Sequence, residues 1–387
     1  MGLTNFKRFT ENWTPFRFHF KLLLLFCFIT YSIDAQNDQL PILKLGDPAP
    51  QLRVSQWIKG NPVQTFKKGK IYVVEFWATW CLPCIAAMPH LSIMANKYKD
   101  EVIVLGIDIL ERKTTSMEKV KTFVEGMGHR MDYHVAVQDS NFMEVGWFNA
   151  SGEQGIPKSF VVNGEGKLAW IGHPMHLDKI LPKIMNNTWD IKAELTERKE
   201  SKRLAVLDDS LRVELDMFAG NPYKQDYIGK PDSALLLINE MVKKEPKLKY
   251  ADFTASHTFA ALLKTDLQKA YEYGRELLAA TSTYDDPPFY SIIGNIEWYS
   301  DKINLPVEIY QLAAETYQAR IDRIPYPEIF NMPKHYKIMA RWYWLANDKP
   351  KAIDAMQKAI DAAKSRKDFS ATDLKAFEFQ LQQYKKR

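Results

Sequence analysis

Cysteine is scarce in this chain, with three in 387 residues. Cys27 lies in an N-terminal apolar stretch, which leaves Cys81 and Cys84 as the only pair beyond it. There is no second cysteine pair and no His-x-x-x-His, so the four ligands of a structural zinc site are missing. No apolar run reaches the ~20 residues that a membrane-spanning helix needs. Strong charge of one sign is also lacking. The formal net charge is +5 and evenly spread, too weak to imply nucleic acid. What remains is an ordinary globular composition, long enough for two domains and a packed core.

The first 35 residues stand apart. Lys7, Arg8, Arg17 and Lys21 precede the apolar run Leu22 to Ile33, and Ala35 supplies a small residue for cleavage. A basic segment, a short apolar core and a small residue describe a secretory signal. Residues 1–35 are therefore expected to be removed, leaving a chain that starts near Gln36. The alternative is an anchor through residues 22–33 facing the same compartment. Cleavage takes away four Lys/Arg and two Asp/Glu and leaves a formal charge of +3.

Residues 36–190 read as alternating strands and helices. Ile71 to Ala78 is apolar on both faces except for Glu75, as a central strand should be. Leu82 to Tyr98 follows as a helix, with an interruption expected at Pro89. Val102 to Ile109 is a second buried strand, "SMEKVKTFVEGMG" an amphipathic helix and "YHVAV" a short strand. Ser159 to Ile171 reads as a hairpin around Asn163-Gly164, and "LDKILPKIM" as a closing helix. This order implies an α/β fold with a mixed sheet flanked by helices.

Residues 191–387 lose the strand pattern. "ELTERKESKR" reads as a connecting helix or linker. Ala234, Ala270, Pro306 and Ala352 are spaced 36, 36 and 46 residues apart. Four residues on stand Ile238, Gly274, Tyr310 and Met356, and three further Met241, Leu277, Ala313 and Ala359. This resembles the tetratricopeptide helix-turn-helix pattern, clearly in the last unit and loosely elsewhere. A non-repetitive helical bundle is the alternative.

The cysteine pair carries the chemistry. Cys81 follows a buried strand and opens a helix, where free N–H groups and the helix dipole favour a thiolate. Cys81 is expected to be the exposed nucleophile and Cys84, one turn in, the shielded resolving thiol. Pro83 suits the first helical turn. A purely structural disulfide would be a poor staple. The chain-entropy model gives about 2 kcal/mol for so short a loop, against about 4.7 for one of a hundred residues. Redox exchange is the reading that fits.

"EFWATWCLPC" followed by "GIPKSF" resembles the thioredoxin superfamily, and more closely the exported TlpA/ResA-type thiol–disulfide oxidoreductases. "LKLGDPAPQL" (Leu43 to Leu52) resembles the lead-in that this group shares with peroxiredoxins. The resemblance covers roughly residues 40–187. It implies a thioredoxin-like fold and a cis peptide bond before Pro157, facing the cysteines. It places Trp80, Ile156, Pro157 and Lys158 at the substrate, with the Ile156 backbone free to pair with an extended client. It places Glu75 beneath the site, where a shielded carboxyl with a raised pKa takes the proton from Cys84. A Glu at the strand's edge reaching water is the other reading. Two departures from the family stand out. Ala87 offers no carboxylate where some relatives carry one, and Lys158 replaces a small hydroxyl residue, bringing a cation near the thiols or shaping substrate choice.

The implied reaction is thiol–disulfide exchange through a mixed disulfide, with no external cofactor. The implied partners are protein dithiol or disulfide clients and an upstream electron donor such as a membrane thiol reductase. The helical part is a candidate surface for a further protein. The expected role is an exported reductant. A helical scaffold with a secondary redox domain is the alternative. A thiol peroxidase is weaker, because "FWATWC" replaces the Thr/Pro-rich loop that activates a peroxidatic cysteine. His173, in "WIGHP", reads as a loop residue rather than a ligand.

Overall fold

The computed structural model describes residues 43–219, 229–280, 287–324, 327, 330–366 and 369–386. The expected signal at 1–35, and the alternative anchor within it, lie outside the described residues.

Six strands form one mixed sheet in the order β1-β4-β3-β2-β5-β6. They are β1 (Val54–Lys59), β2 (Ile71–Trp77), β3 (Val102–Asp108), β4 (His134–Gln138), β5 (Lys158–Val162) and β6 (Leu168–Gly172). β2 runs parallel to β3 and antiparallel to β5, so it sits centrally, and all seven of its residues are buried. Strand alternation sends Tyr72, Val74 and Phe76 to one face, with Trp147 and Phe160. Val73 and Trp77 go to the other, with Met88 and Leu91 of α1 (Leu82–Lys97) and Leu181 of α3 (Leu177–Met185). α2 (Met117–Met127) packs on that second face through Val120 and Val124 and stops at Gly128.

The structure departs from expectation in two places here. α1 continues through Pro89 without a break. The missing N–H costs one helical hydrogen bond, but buried residues on both sides (Met88, Leu91, Met94) hold the two halves in line. β1 was not anticipated. It is an edge strand with no fully buried residue, so it leaves no apolar run to read.

"ELTERKESKR" is not a linker. It lies inside α4 (Ile191–Ala219), a helix of 29 residues whose start is capped by Asp190 accepting from Lys192 and Ala193 N–H. The start of this segment also covers the edge of the sheet. Trp189 Nε1 donates to Ala169 O at 2.9 Å, and Arg198 donates to Ile171 O at 2.6 Å. Both acceptors belong to edge strand β6, whose open backbone groups would otherwise invite pairing with another chain.

Among the described residues eight further helices follow: α5 (Pro231–Lys244), α6 (Asp252–Thr265), α7 (Leu267–Ala280), α8 (Pro287–Tyr299), α9 (Val307–Asp322), α10 (Met332–Leu345), α11 (Lys349–Lys364) and α12 (Ala371–Lys386). Their shared core holds Ala270, Leu277, Ala313, Ala352, Met356 and Ala359, all from the recurring positions. Gly274 marks a close approach, since a Cβ there would collide with the Leu312 side chain and Phe259. Pro306, Met241 and Tyr310 are not buried, and Pro306 instead caps the start of α9. The thioredoxin-like α/β layer is thus followed by an all-helical region.

The boundary expected after residue 190 coincides with the start of α4, yet Arg198 still binds the sheet. A fragment ending at 190 should therefore melt below one ending at 219. One charged hydrogen bond and its neighbours, worth about 1–2 kcal/mol, put the difference at roughly 2–8 °C. Thermal unfolding of both fragments checks this, and identical midpoints would show that α4 adds nothing to the sheet.

Candidate active site

β2 delivers the chain to the site at its C-terminal end, where Cys81 becomes the N-cap of α1. Its sulfur accepts from the Cys84 N–H at 3.2 Å, satisfying one of the helix's free donors. The two sulfurs form a disulfide of 2.05 Å. The cis-proline loop closes over them. The Ile156–Pro157 bond is cis, and Ile156 O lies 3.7 Å from Cys81 Sγ. Cys81 is less open than expected. It is 3% exposed and Cys84 fully buried, because in the oxidised form the partner sulfur and the Ile156 backbone cover it. Cys81 is still the one of the pair that water reaches.

This geometry has counterparts. Residues 61–126 match the family described as Thioredoxin. Over 151 residues the chain is 32% identical to Protein FixW of Rhizobium leguminosarum, covering 38% of this chain and 68% of that one. The chain belongs to the thioredoxin family. It is 28% identical over 193 residues to the thiol:disulfide interchange protein DsbE of Pasteurella multocida, covering 46% and 93% of the two chains. It is 30% identical over 112 residues to the thiol-disulfide oxidoreductase ResA of Oceanobacillus iheyensis, covering 27% and 58%. This thioredoxin-family chain is a thiol–disulfide oxidoreductase.

Trp80 and Leu82 flank Cys81 as an apolar rim, 43% and 77% exposed. Trp80 is held there by its indole N–H, which donates to Leu110 O at 2.9 Å. Lys158 does not join them. It pairs with Phe76 across β2 and β5, which turns its side chain to the sheet face away from α1. There it meets Glu153 at 2.7 Å, so its charge is engaged behind the loop rather than at the thiols. His173 accepts from Met175 N–H as the cap of a short turn.

Glu75 is fully buried, and neither carboxyl oxygen has a hydrogen-bond partner among the described residues. It lies opposite Gly106 and Ser159, on the face that carries α1. Gly106 leaves room for the rings beside it, since a Cβ there would come within 2.8 Å of Tyr133 and 3.3 Å of Trp77 Nε1. Loss of hydration pushes the Glu75 pKa up to about 8. Burial, and then the Glu75 carboxylate, push the Tyr133 hydroxyl well above its ordinary range.

A carboxyl pair that no sequence motif marks lies beside the turn to Cys81. Glu111 accepts from Thr79 N–H at 2.5 Å and from Thr79 Oγ1–H at 3.0 Å, fixing the turn before Trp80 and Cys81. Asp108, nearly buried, has a pKa raised to about 9 by burial, then by the neighbouring Glu111 charge and their mutual hydrogen bond. The one available signal was position. Asp108 ends β3 beside β2 and Glu111 follows it, on the side of the sheet where α/β sites gather.

Glu75 and Asp108 both titrate higher in the folded protein than in the unfolded chain. The folded state then binds more protons between about pH 4.5 and 8, and stability must fall as pH rises through that window. Glu75→Gln should flatten the decline and make the oxidised protein more stable than wild type at pH 8, by a few kcal/mol (~1.4 per pKa unit). The flattening is partial, because Asp108 contributes a slope of the same sign. Urea unfolding from pH 5 to 8 measures it, and parallel profiles for both proteins would place the Glu75 carboxyl in water.

Proposed function

We propose that this chain is an exported reductant of protein disulfides, with Cys81 attacking, Cys84 resolving and Glu75 moving the proton between them. The observation that carries the reading is the redox pair at the start of α1, under the cis-proline loop, with a buried carboxyl on the strand that leads to it. The Cys81 thiolate attacks one sulfur of a client disulfide, and the client's other sulfur leaves as a thiolate and takes up a proton. Glu75 then accepts the Cys84 proton. The Cys84 thiolate attacks Cys81 Sγ and releases the second client thiol. The client gains two electrons and two protons, and the enzyme is left as the Cys81–Cys84 disulfide. An upstream dithiol donor, such as a membrane thiol reductase, restores it.

Trp80, Ile156 and Pro157 form the client-facing surface in this reading, and Lys158 acts on it from behind. A carboxyl titrating near pH 8 supports the resolving step, which stalls unless Cys84 loses its proton. The basic, apolar and small residues of 1–35 support export, with the periplasm as the compartment in a Gram-negative source. Among the described residues no helix is long and apolar enough to cross a membrane. The helical region, stacked in tetratricopeptide-like fashion at its end, is proposed to bind a partner protein.

Cys84→Ser should accumulate mixed disulfides with clients when expressed in the native host and quenched with acid and alkylating agent. Cys81→Ser should trap little. Non-reducing electrophoresis and mass spectrometry read both, and equal trapping would reverse the assigned roles. No adduct from either would favour a scaffold with a secondary redox unit. N-terminal sequencing of the exported protein should begin near Gln36. An intact Met1 in a soluble internal pool would remove export from the proposal.

A further inference from the structure

The cis-proline loop is held from behind by charges that the exchange reaction does not use. Glu153 opens the loop and Lys158 ends it, and their side chains meet at 2.7 Å. The other oxygen of Glu153 accepts from Arg198 at 2.7 Å. Arg198 belongs to α4, not to the sheet, and its other terminal nitrogen donates to Ile171 O of β6 at 2.6 Å. The Glu153 side chain is only 13% exposed and Glu194 adds a second shielded carboxylate 4.0 Å from Arg198, so the four charges form a geometrically defined cluster rather than a solvated surface pair. Between the two ends of this clasp lies Ile156, whose carbonyl is 3.7 Å from Cys81 Sγ. Further along the same helix, Leu211 and Leu215 are buried against Ala234 and Ile238 of the helical region.

We propose that Arg198 is a positioning residue for disulfide exchange: through Glu153 it sets the cis-proline loop against Cys81, and it ties that setting to the helix leading into the helical region. The proposal rests on the reading of Cys81 as the attacking thiol. A client that docks on the loop must present its sulfur to Cys81 in line. A misplacement of the order of 1 Å can cost up to ~100-fold in rate. A small reagent that needs no docking is indifferent to the loop. The clasp therefore predicts a selective defect, confined to protein clients.

The test compares full-length wild type, Arg198→Ala, Arg198→Lys and Glu153→Ala. Three quantities are read: exchange with a protein disulfide in both directions, the alkylation rate of reduced Cys81 by a small neutral reagent, and thermal unfolding. Arg198→Ala should lose about tenfold in kcat/KM for the protein client while alkylation stays at the wild-type rate. Arg198→Lys keeps the charge but reaches only one of the two acceptors, so it should fall between. It also serves as the working variant if Arg198→Ala folds poorly. Glu153→Ala combined with Arg198→Ala should lose less than the product of the two single losses, because the two share the Arg198–Glu153 contact. Unchanged protein exchange in a folded Arg198 variant overturns the proposal. So does an equal loss in alkylation, which would mean general damage to the site. Measuring both directions keeps the comparison independent of the proposed reductant role. A protein that proves to be an oxidant would overturn that role and leave the ranking of variants intact.

Discussion

The seven residues of β2 are shut away from water on both faces, and the one carboxyl among them has no partner among the described residues with which to keep its charge. A carboxylate in that position would forfeit its hydration without compensation, so the proton stays on to about pH 8. The same strand then ends at the turn that begins α1, which gives Cys81 the free N–H of the helix start. Burial of one strand thus supplies two things. One is a carboxyl that titrates near pH 8, and the other is a sulfur held at a positive helix end. Stability is the cost of the first. Each step in pH that removes the proton weakens the fold at the place where the chemistry is done.

The site is completed by segments that belong to neither the strand nor the helix. Glu111, just beyond β3, fixes Thr79 and hence the turn before Trp80. The cis-proline loop brings the Ile156 carbonyl to Cys81. Arg198 and Trp189, from the segment that enters the helical region, close the free edge of β6 and brace that loop from behind. The helical region is therefore not simply appended to a finished thioredoxin-like layer. Its first helix supplies hydrogen bonds that the sheet would otherwise lack.

Local chemistry was legible in the amino-acid order. A buried apolar run with one carboxylate, a cysteine pair at a helix start and a proline behind it are each written within a few consecutive residues. Periodicity also marked most elements, including the small residues that let the later helices pack closely. β1 escaped because an edge strand need not be apolar. Pro89 departs from expectation because the rule against proline inside a helix is local, whereas the burial that overrides it is not.

The sequence by itself determined which groups are available: Cys81 and Cys84 are the only cysteines beyond the N-terminal stretch, and Glu75 is the only carboxylate in the central strand. The tertiary structure alone decided how those groups are surrounded. It set the depth of Glu75, the cover over Cys81 and the turning of Lys158 to the far face of the sheet. It also made the contacts of Glu111 with Thr79 and of Arg198 with Glu153, which join residues 32 and 45 positions apart. Such pairs leave no trace in spacing or period. A charged side chain reads alike wherever it stands in the chain, and its role is fixed by the neighbour that folding brings to it.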